Sequence, residues 1–192
     1  MPHLYIISGC NGAGKTTASY TILPEILNCK EFVNADEIAK GLSPFQPETV
    51  SILAGRIMLE RINEMLAQGV DFAIETTLTT LSYQQTIEHA KRKGYTITLL
   101  FFWLNHVNLA IERVKTRVAE GGHHIPEDVI VRRYYKGISN LIQVFTSLCD
   151  YWIIIDNSVE PNYTIATGNN DVNIKVKNKD TWMKILDLAN GK

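Results

Sequence analysis

Short apolar runs alternate along this chain with longer stretches of helical periodicity. His3-Leu4-Tyr5-Ile6-Ile7-Ser8 reads as a buried strand, and residues 16–20 continue as helix behind a glycine-rich break. Residues 31–35 read as a second strand, closed by polar Asp36-Glu37. From Pro47 to residue 68 the positions Val50, Leu53, Ala54, Ile57, Met58, Ile62 and Met65 recur at helical spacing. Pro47 suits the first turn of that helix and Gly69 its stop. Residues 71–75 form a third strand, Ser82 caps a helix reaching Lys93 and closed by Gly94, and residues 96–104 are the strongest buried strand. A basic helix then spans residues 106–120 and stops at Gly121-Gly122. Pro126-Glu127-Asp128 opens another that extends to Leu148, and residues 151–155 are a fifth strand.

Alternating strands and helices predict an α/β chain with a parallel sheet covered on both faces. The last part departs from the pattern. Residues 162–167, the four-residue turn 168–171 and residues 172–177 read as a β-hairpin, and a short helix follows from Thr181. This tail of about 35 residues is too small to hold a core alone, so one domain is expected, with a core over 1–158 and an appendage over 159–192.

Composition narrows the function classes. The chain has 192 residues, 45% hydrophobic and 20% charged, enough for a packed core. A net charge of −1 argues against a protein held on nucleic acid or anionic lipid by bulk charge. Three scattered cysteines, Cys10, Cys29 and Cys149, form no disulfide framework or metal spacing, which suits a reducing cytoplasm. No basic segment followed by a long apolar one precedes the first strand, so no secretory leader is expected, and no apolar run is long enough to span a bilayer.

The break after the first strand carries the most chemistry. Gly9-Cys10-Asn11-Gly12-Ala13-Gly14-Lys15-Thr16 fits the phosphate-binding P-loop in the order strand, loop, helix. Backbone N–H groups of residues 9–17, Thr17 included, make a nest for phosphate oxygens. Gly12 and Gly14 leave room for close approach. Lys15 brings a positive charge to the β/γ phosphates, Thr16 is placed to ligate Mg²⁺, and the helix dipole adds to both. Cys10 is a small residue that fits the loop, or a redox-sensitive one.

In open α/β sheets ligands bind at the carboxyl ends of the strands. Asp36, after the second strand, is a candidate for orienting or deprotonating an acceptor hydroxyl; a helix N-cap is the competing reading. Asn34 reads as a structural hydrogen-bonder. Glu75, at the tip of the third strand, is placed like a Walker-B acid, to hold a Mg²⁺-bound water or the acceptor, or it is a solvated strand end. Thr76 lies beside it as an acceptor contact or a turn residue. Arg113 and Arg117 share a helix face, Gly121-Gly122-His123-His124 form a hinge, and Arg132-Arg133 follow. Together they read as a lid that closes arginines on the transferring phosphate, or as solvated faces. His123 fits a lid or acceptor contact better than a metal ligand. Arg56 faces the acceptor cleft or snorkels, and Asp156-Asn157-Ser158 is a resting place for the base or a turn.

Taken in order, Ser8 through Thr17, Phe32-Val33-Asn34-Ala35-Asp36-Glu37, Ala54-Gly55-Arg56, Ile74-Glu75-Thr76-Thr77-Leu78, Arg117 with Gly121-Gly122-His123, Arg132-Arg133-Tyr134 and Asp156-Asn157-Ser158 resemble the zeta-toxin-like P-loop kinases, in particular the branch labelled predicted ABC-type ATPase. The resemblance covers residues 4–158. It implies a bacterial cytosolic kinase with a three-layer αβα fold and a five-stranded parallel sheet in the order 2-3-1-4-5. It implies ATP or GTP with Mg²⁺, a UDP-activated amino sugar as acceptor, and an antitoxin protein as a candidate partner. Asp36 carries over the catalytic aspartate, Lys15 and Thr16 the P-loop pair. Arg113 fits one lid arginine, while His123 and His124 stand near the other and Arg117 or Arg133 would compensate. Two other readings stay open: a nucleotide-switched module that controls a partner, and a kinase of nucleic-acid ends, which the near-neutral charge disfavours.

Overall fold

A computed structural model describes residues 1–122, 124–170 and 172–191. The elements run β1 (His3–Ser8), α1 (Lys15–Thr21), β2 (Glu31–Val33), α2 (Ala35–Leu42), α3 (Ser51–Gln68), β3 (Phe72–Thr76), α4 (Tyr83–Arg92), β4 (Thr96–Trp103), α5 (Val107–Ala119), α6 (Glu127–Asn140), α7 (Thr146–Leu148), β5 (Tyr151–Asp156), β6 (Tyr163–Gly168), β7 (Lys175–Val176) and α8 (Lys179–Ala189). Single π-helical turns follow α1 and α6, and a 3₁₀ turn over Pro47–Val50 leads into α3.

The strands form one sheet in the order β2-β3-β1-β4-β5-β6-β7. The first five are parallel, as expected, and β6 and β7 add antiparallel to the β5 edge. The sheet therefore has seven strands where five were expected, because the C-terminal hairpin extends it instead of standing apart. Gly168, placed in the turn by its residue type, is the last residue of β6. A Cβ there would collide with the Trp152 indole across the pair.

Consecutive positions of β1 and β4 are buried, so both faces of the central sheet are covered. Helix α3 seats Ala54, Met58, Ile62 and Met65 in the core and ends at Gly69, whose φ of 66° makes the left-handed cap. The helix expected to reach Leu148 does so, passing through a π-helical turn over Leu141–Phe145. One expectation fails here. Residues 34 and 35, read as the end of the second strand, are instead the N-cap and first residue of α2, which runs to Leu42. Asn34 is its N-cap, and Ala35, Ile38, Ala39 and Leu42 supply a short amphipathic face. Among the described residues, no helix is long and apolar enough to cross a membrane.

Candidate functional site

The P-loop links β1 to α1 with three glycines in the positive-φ region, Gly9 at 142°, Gly12 at 77° and Gly14 at 80°. Their packing adds a reason the motif alone does not give. A Cβ on Gly9 would collide with the Phe102 carbonyl, one on Gly12 would lie 2.7 Å from the Ala110 carbonyl oxygen, and one on Gly14 would lie 2.5 Å from Asn157 Nδ2. The loop is thus threaded between the end of β4, α5 and the segment after β5. No side chain caps α1, so its first N–H groups stay available to an anion.

Lys15 is 7% exposed and its Nζ donates to the Cys10 carbonyl at 3.0 Å. Glu75 reaches in from β3. Its Oε1 lies 3.5 Å from Lys15 Nζ, and its Oε2 accepts from Thr16 Oγ1 at 2.8 Å and from Asn34 Nδ2 at 2.9 Å. Asn34 turns its other amide atom, Oδ1, to the Asp36 backbone N–H at 2.8 Å. The cap of α2 is therefore Asn34, and Asp36 stands in the first turn with its carboxylate free of hydrogen bonds among the described residues. One polar chain, Thr16–Glu75–Asn34–Asp36, ties the P-loop to α2.

The arginines approach from the opposite side. Arg133 donates to Asn11 Oδ1 at 3.0 Å, and Arg113 makes a long 3.5 Å contact with the Gly12 carbonyl. Tyr134 fixes the register of α6 by donating to the Leu104 carbonyl at 2.7 Å; burial pushes its phenol pKa well above the usual value. Arg117 is exposed, and a Cβ on Gly122 would come within 2.8 Å of its carbonyl, so the α5 end and the glycine pair pack closely. Lys115 pairs with Glu127 at 2.7 Å across the same connection. Burial pushes the Cys10 thiol up to about 11 despite Lys15 and Arg113 nearby.

Three cavities meet at this edge. One of about 450 Å³ is lined by Gly12, Gly14, Lys15, Thr16, Asp36 and Glu75, with Arg113 and Arg117 opposite. A second, of about 420 Å³, shares Asn11, Lys15, Asn34, Asp36 and Glu75 with it and extends between α3 and the Thr76–Thr86 segment, taking in Arg56 and Arg133. A third, of about 480 Å³, lies between Gly14, Thr17, Arg113 and residues 157–162. Gly9 and Ala13 are buried under the loop and line none of these. His123 lies outside the described residues, while His124 lines a smaller recess with Asp36, Arg132 and Arg133.

Asn157 was not separated from its neighbours by sequence. Its Nδ2 donates to the Ala13 carbonyl at 2.8 Å and so clamps the P-loop, whereas Asp156 is buried and accepts from Ser158 N and Tyr163 OH. Thr79, Thr80, Ser82, Tyr83 and Thr86 were likewise missed as cleft residues, and they join Thr77 of the polar cluster that follows β3. The density of hydroxyls after β3 was the available signal.

A P-loop on a parallel sheet, with carboxylates at the neighbouring strand ends and arginines facing the loop, defines the class: a nucleotide-binding P-loop phosphotransferase. The zeta toxin family model matches residues 1–160, and the chain belongs to the zeta toxin family. An uncharacterized protein of Haemophilus influenzae is 32% identical over 126 residues, 66% of this chain and 88% of the relative. Two solved structures share the fold. The AvrRxo1-ORF1:-ORF2 complex with ATP superposes with a TM-score of 0.77 at 16% identity, over 96% of this chain. The PezAT toxin–antitoxin system of Streptococcus pneumoniae gives 0.66 at 16%, over all of this chain and 85% of the other. This chain spans 63% of the matched AvrRxo1 chain.

Proposed function

We propose that this protein is an ATP-dependent small-molecule kinase that transfers the γ-phosphate to an acceptor hydroxyl. The observation that carries the reading is the junction of two cavities at Lys15, Asp36 and Glu75, one against the P-loop and one leading away from it. The triphosphate occupies the first and the base the recess beside Asn157; the acceptor enters the second. Lys15 binds the β/γ phosphates. The acceptor hydroxyl gives its proton to the Asp36 carboxylate as its oxygen bonds to the γ-phosphorus and the bond to the β-phosphate oxygen breaks. Arg113, Arg117 and Arg133 neutralise charge on the phosphoryl group, and positioning and charge supply most of the acceleration.

Mg²⁺ fits the donor set. Thr16 Oγ1 and the Glu75 carboxylate are adjacent hard oxygens, and no cluster of three His, Cys, Asp or Glu suited to a metal occurs among the described residues. Thr16, and Glu75 through water, would hold such an ion, which would supply neutralisation of the phosphate charge. The family resemblance leaves GTP as an alternative donor. The family resemblance points to a UDP-amino sugar as acceptor. It also points to an antitoxin as partner, as the PezAT system is a toxin–antitoxin pair.

A labelled γ-phosphate screen over UDP-sugars, free sugars and nucleosides tests the reading. Lys15→Ala abolishes transfer and weakens ATP binding; Asp36→Asn abolishes transfer but still binds ATP. An Asp36→Asn protein with normal turnover overturns the role of Asp36. ATP hydrolysis without transfer to any acceptor would favour a nucleotide switch instead.

A further inference from the structure

We propose that Arg56 reads an anionic group on the acceptor, so that the cleft selects a polyhydroxylated anion over the corresponding neutral sugar. The inference rests on the kinase reading above and concerns the acceptor cavity alone.

Three cations line that cavity: Lys15, Arg56 and Arg133. Lys15 is engaged by the Cys10 carbonyl and Glu75, and Arg133 by Asn11 Oδ1. Arg56 has no hydrogen bond or ion pair among the described residues. Its near neighbour Arg61 shows what the same helix does with a structural arginine: it pairs with Glu31 at 2.7 Å and Glu64 at 3.1 Å. The cavity is thus polarised, with carboxylates Asp36 and Glu75 at the P-loop end and an unpaired guanidinium on α3. A guanidinium stays charged at any working pH and forms bidentate bonds to carboxylate or phosphate.

The α3 wall is also opened on purpose. Gly55 lines the cavity beside Arg56, in a helix interior where glycine is unfavourable, and a Cβ there would meet nothing within 4 Å. Packing does not require this glycine, and its missing Cβ leaves the α3 wall open to a ligand. Ile52 and Leu59, 76% and 51% exposed, flank it on the same helix face and offer an apolar floor to a sugar ring.

The opposite wall is hydroxyl-rich and held in place. Thr77 and Thr79 hydroxyls bond at 3.0 Å, those of Thr80 and Ser82 at 2.8 Å, and each keeps spare donor or acceptor capacity. Leu78 between them has φ of 55°, an outlier for a bulky residue. It is held there by full burial, by its N–H donating to Thr76 Oγ1 at 3.1 Å, and by its carbonyl accepting from Asn140 Nδ2 at 2.6 Å. A strained turn fixed from several sides pre-organises the hydroxyls for a ligand with several of its own.

The test uses matched pairs as probes: glucosamine and glucosamine 6-phosphate, glucose and gluconate, N-acetylglucosamine and its UDP ester. Transfer from labelled ATP is measured alongside the thermal shift each compound produces. The charged member should be preferred roughly tenfold or more in kcat/KM, as expected for a charge-assisted bond. Arg56→Ala should erase the preference through acceptor KM with ATP affinity unchanged, and Arg56→Lys should restore part of it. The UDP arm separates a nucleotide-sugar from a simple sugar phosphate or acid. Gly55→Ala should raise Tm yet raise acceptor KM. Equal use of neutral and charged members, a preference that survives Arg56→Ala, or no response to any pair overturns the proposal. Charged compounds that shift Tm through Arg56 but accept no phosphate leave the anion subsite standing and overturn the kinase reading instead.

Discussion

Glu75→Gln should destabilise the nucleotide-free protein by about 3 kcal/mol, and ATP without Mg²⁺ should remove most of that loss. The side chains of Lys15 and Glu75 are 7% and 8% exposed and their charged atoms lie 3.5 Å apart. Breaking a buried pair by removing one partner costs about 3–5 kcal/mol. The lower end applies, because Lys15 keeps the Cys10 carbonyl at 3.0 Å and an amide oxygen can still accept from Thr16. For a chain of this size about 3 kcal/mol corresponds to a Tm drop of roughly 6–12 °C. When ATP is bound, the β/γ phosphates take over Lys15, so the missing carboxylate matters less. By the thermodynamic cycle the variant must then bind Mg²⁺-free ATP more tightly, about tenfold for each 1.4 kcal/mol recovered. Urea titrations followed by circular dichroism, with and without ATP, read both quantities. Equal losses in the two conditions, or weaker binding of Mg²⁺-free ATP by the variant, would refute the view that Glu75 and the phosphates compete for Lys15.

Two further outcomes follow from the packing. Gly14→Ala places a Cβ 2.5 Å from Asn157 Nδ2 at a φ of 80°, so both stability and ATP affinity should fall, the latter at least tenfold by titration. Adding Asn157→Ala should recover part of the stability, and no recovery would show that the clash is not the cause. Burial holds the Cys10 and Cys29 thiols protonated up to about 11, against an ordinary 9.0. The unfolded chain sheds these protons first, so their contribution is complete below pH 9 and is lost as pH climbs toward 11. Denaturant stability measured across that window should decline more steeply for the wild type than for a Cys10→Ala/Cys29→Ala variant.

What could be read from sequence was whatever depends on neighbours along the chain. The P-loop is such a case, because strand, glycines, lysine and hydroxyl are consecutive. Helix α2 was legible beyond the cap reading given to Asp36: Ala35, Ile38, Ala39 and Leu42 have helical spacing behind an Asn34 cap with two acids in the first turn, and continuing β2 by two residues obscured it. The addition of β6 to β5 was not legible, since the same alternating residues suit a free hairpin or a sheet edge. Nor was the threonine turn. Leu78 adopts its conformation because Asn140, 62 residues later, bonds its carbonyl, and because Gly137 lets α6 approach; a Cβ there would lie 2.6 Å from the Thr77 carbonyl oxygen. The role of Asn157 fails to show for the same reason, as its partner Ala13 is 144 residues earlier.

The division of labour between Asn34 and Asp36 explains how one short segment can serve both folding and the proposed chemistry. A helix start leaves N–H groups that need an acceptor, and a carboxylate two residues further on would be drawn into that task if nothing else filled it. Asn34 fills it with Oδ1 and uses Nδ2 to hold Glu75, so one amide satisfies the helix start and orients the P-loop carboxylate. Asp36 is thereby released from capping while its backbone is fixed, through bonds of 2.8 to 2.9 Å, relative to Thr16. An acid freed from structural duty and rigidly referenced to the phosphate loop is what in-line transfer needs, because misplacing the base by about 1 Å can cost a hundredfold in rate. Asn34, which sequence reading assigns to structure alone, therefore controls the geometry on which the proposed chemistry depends.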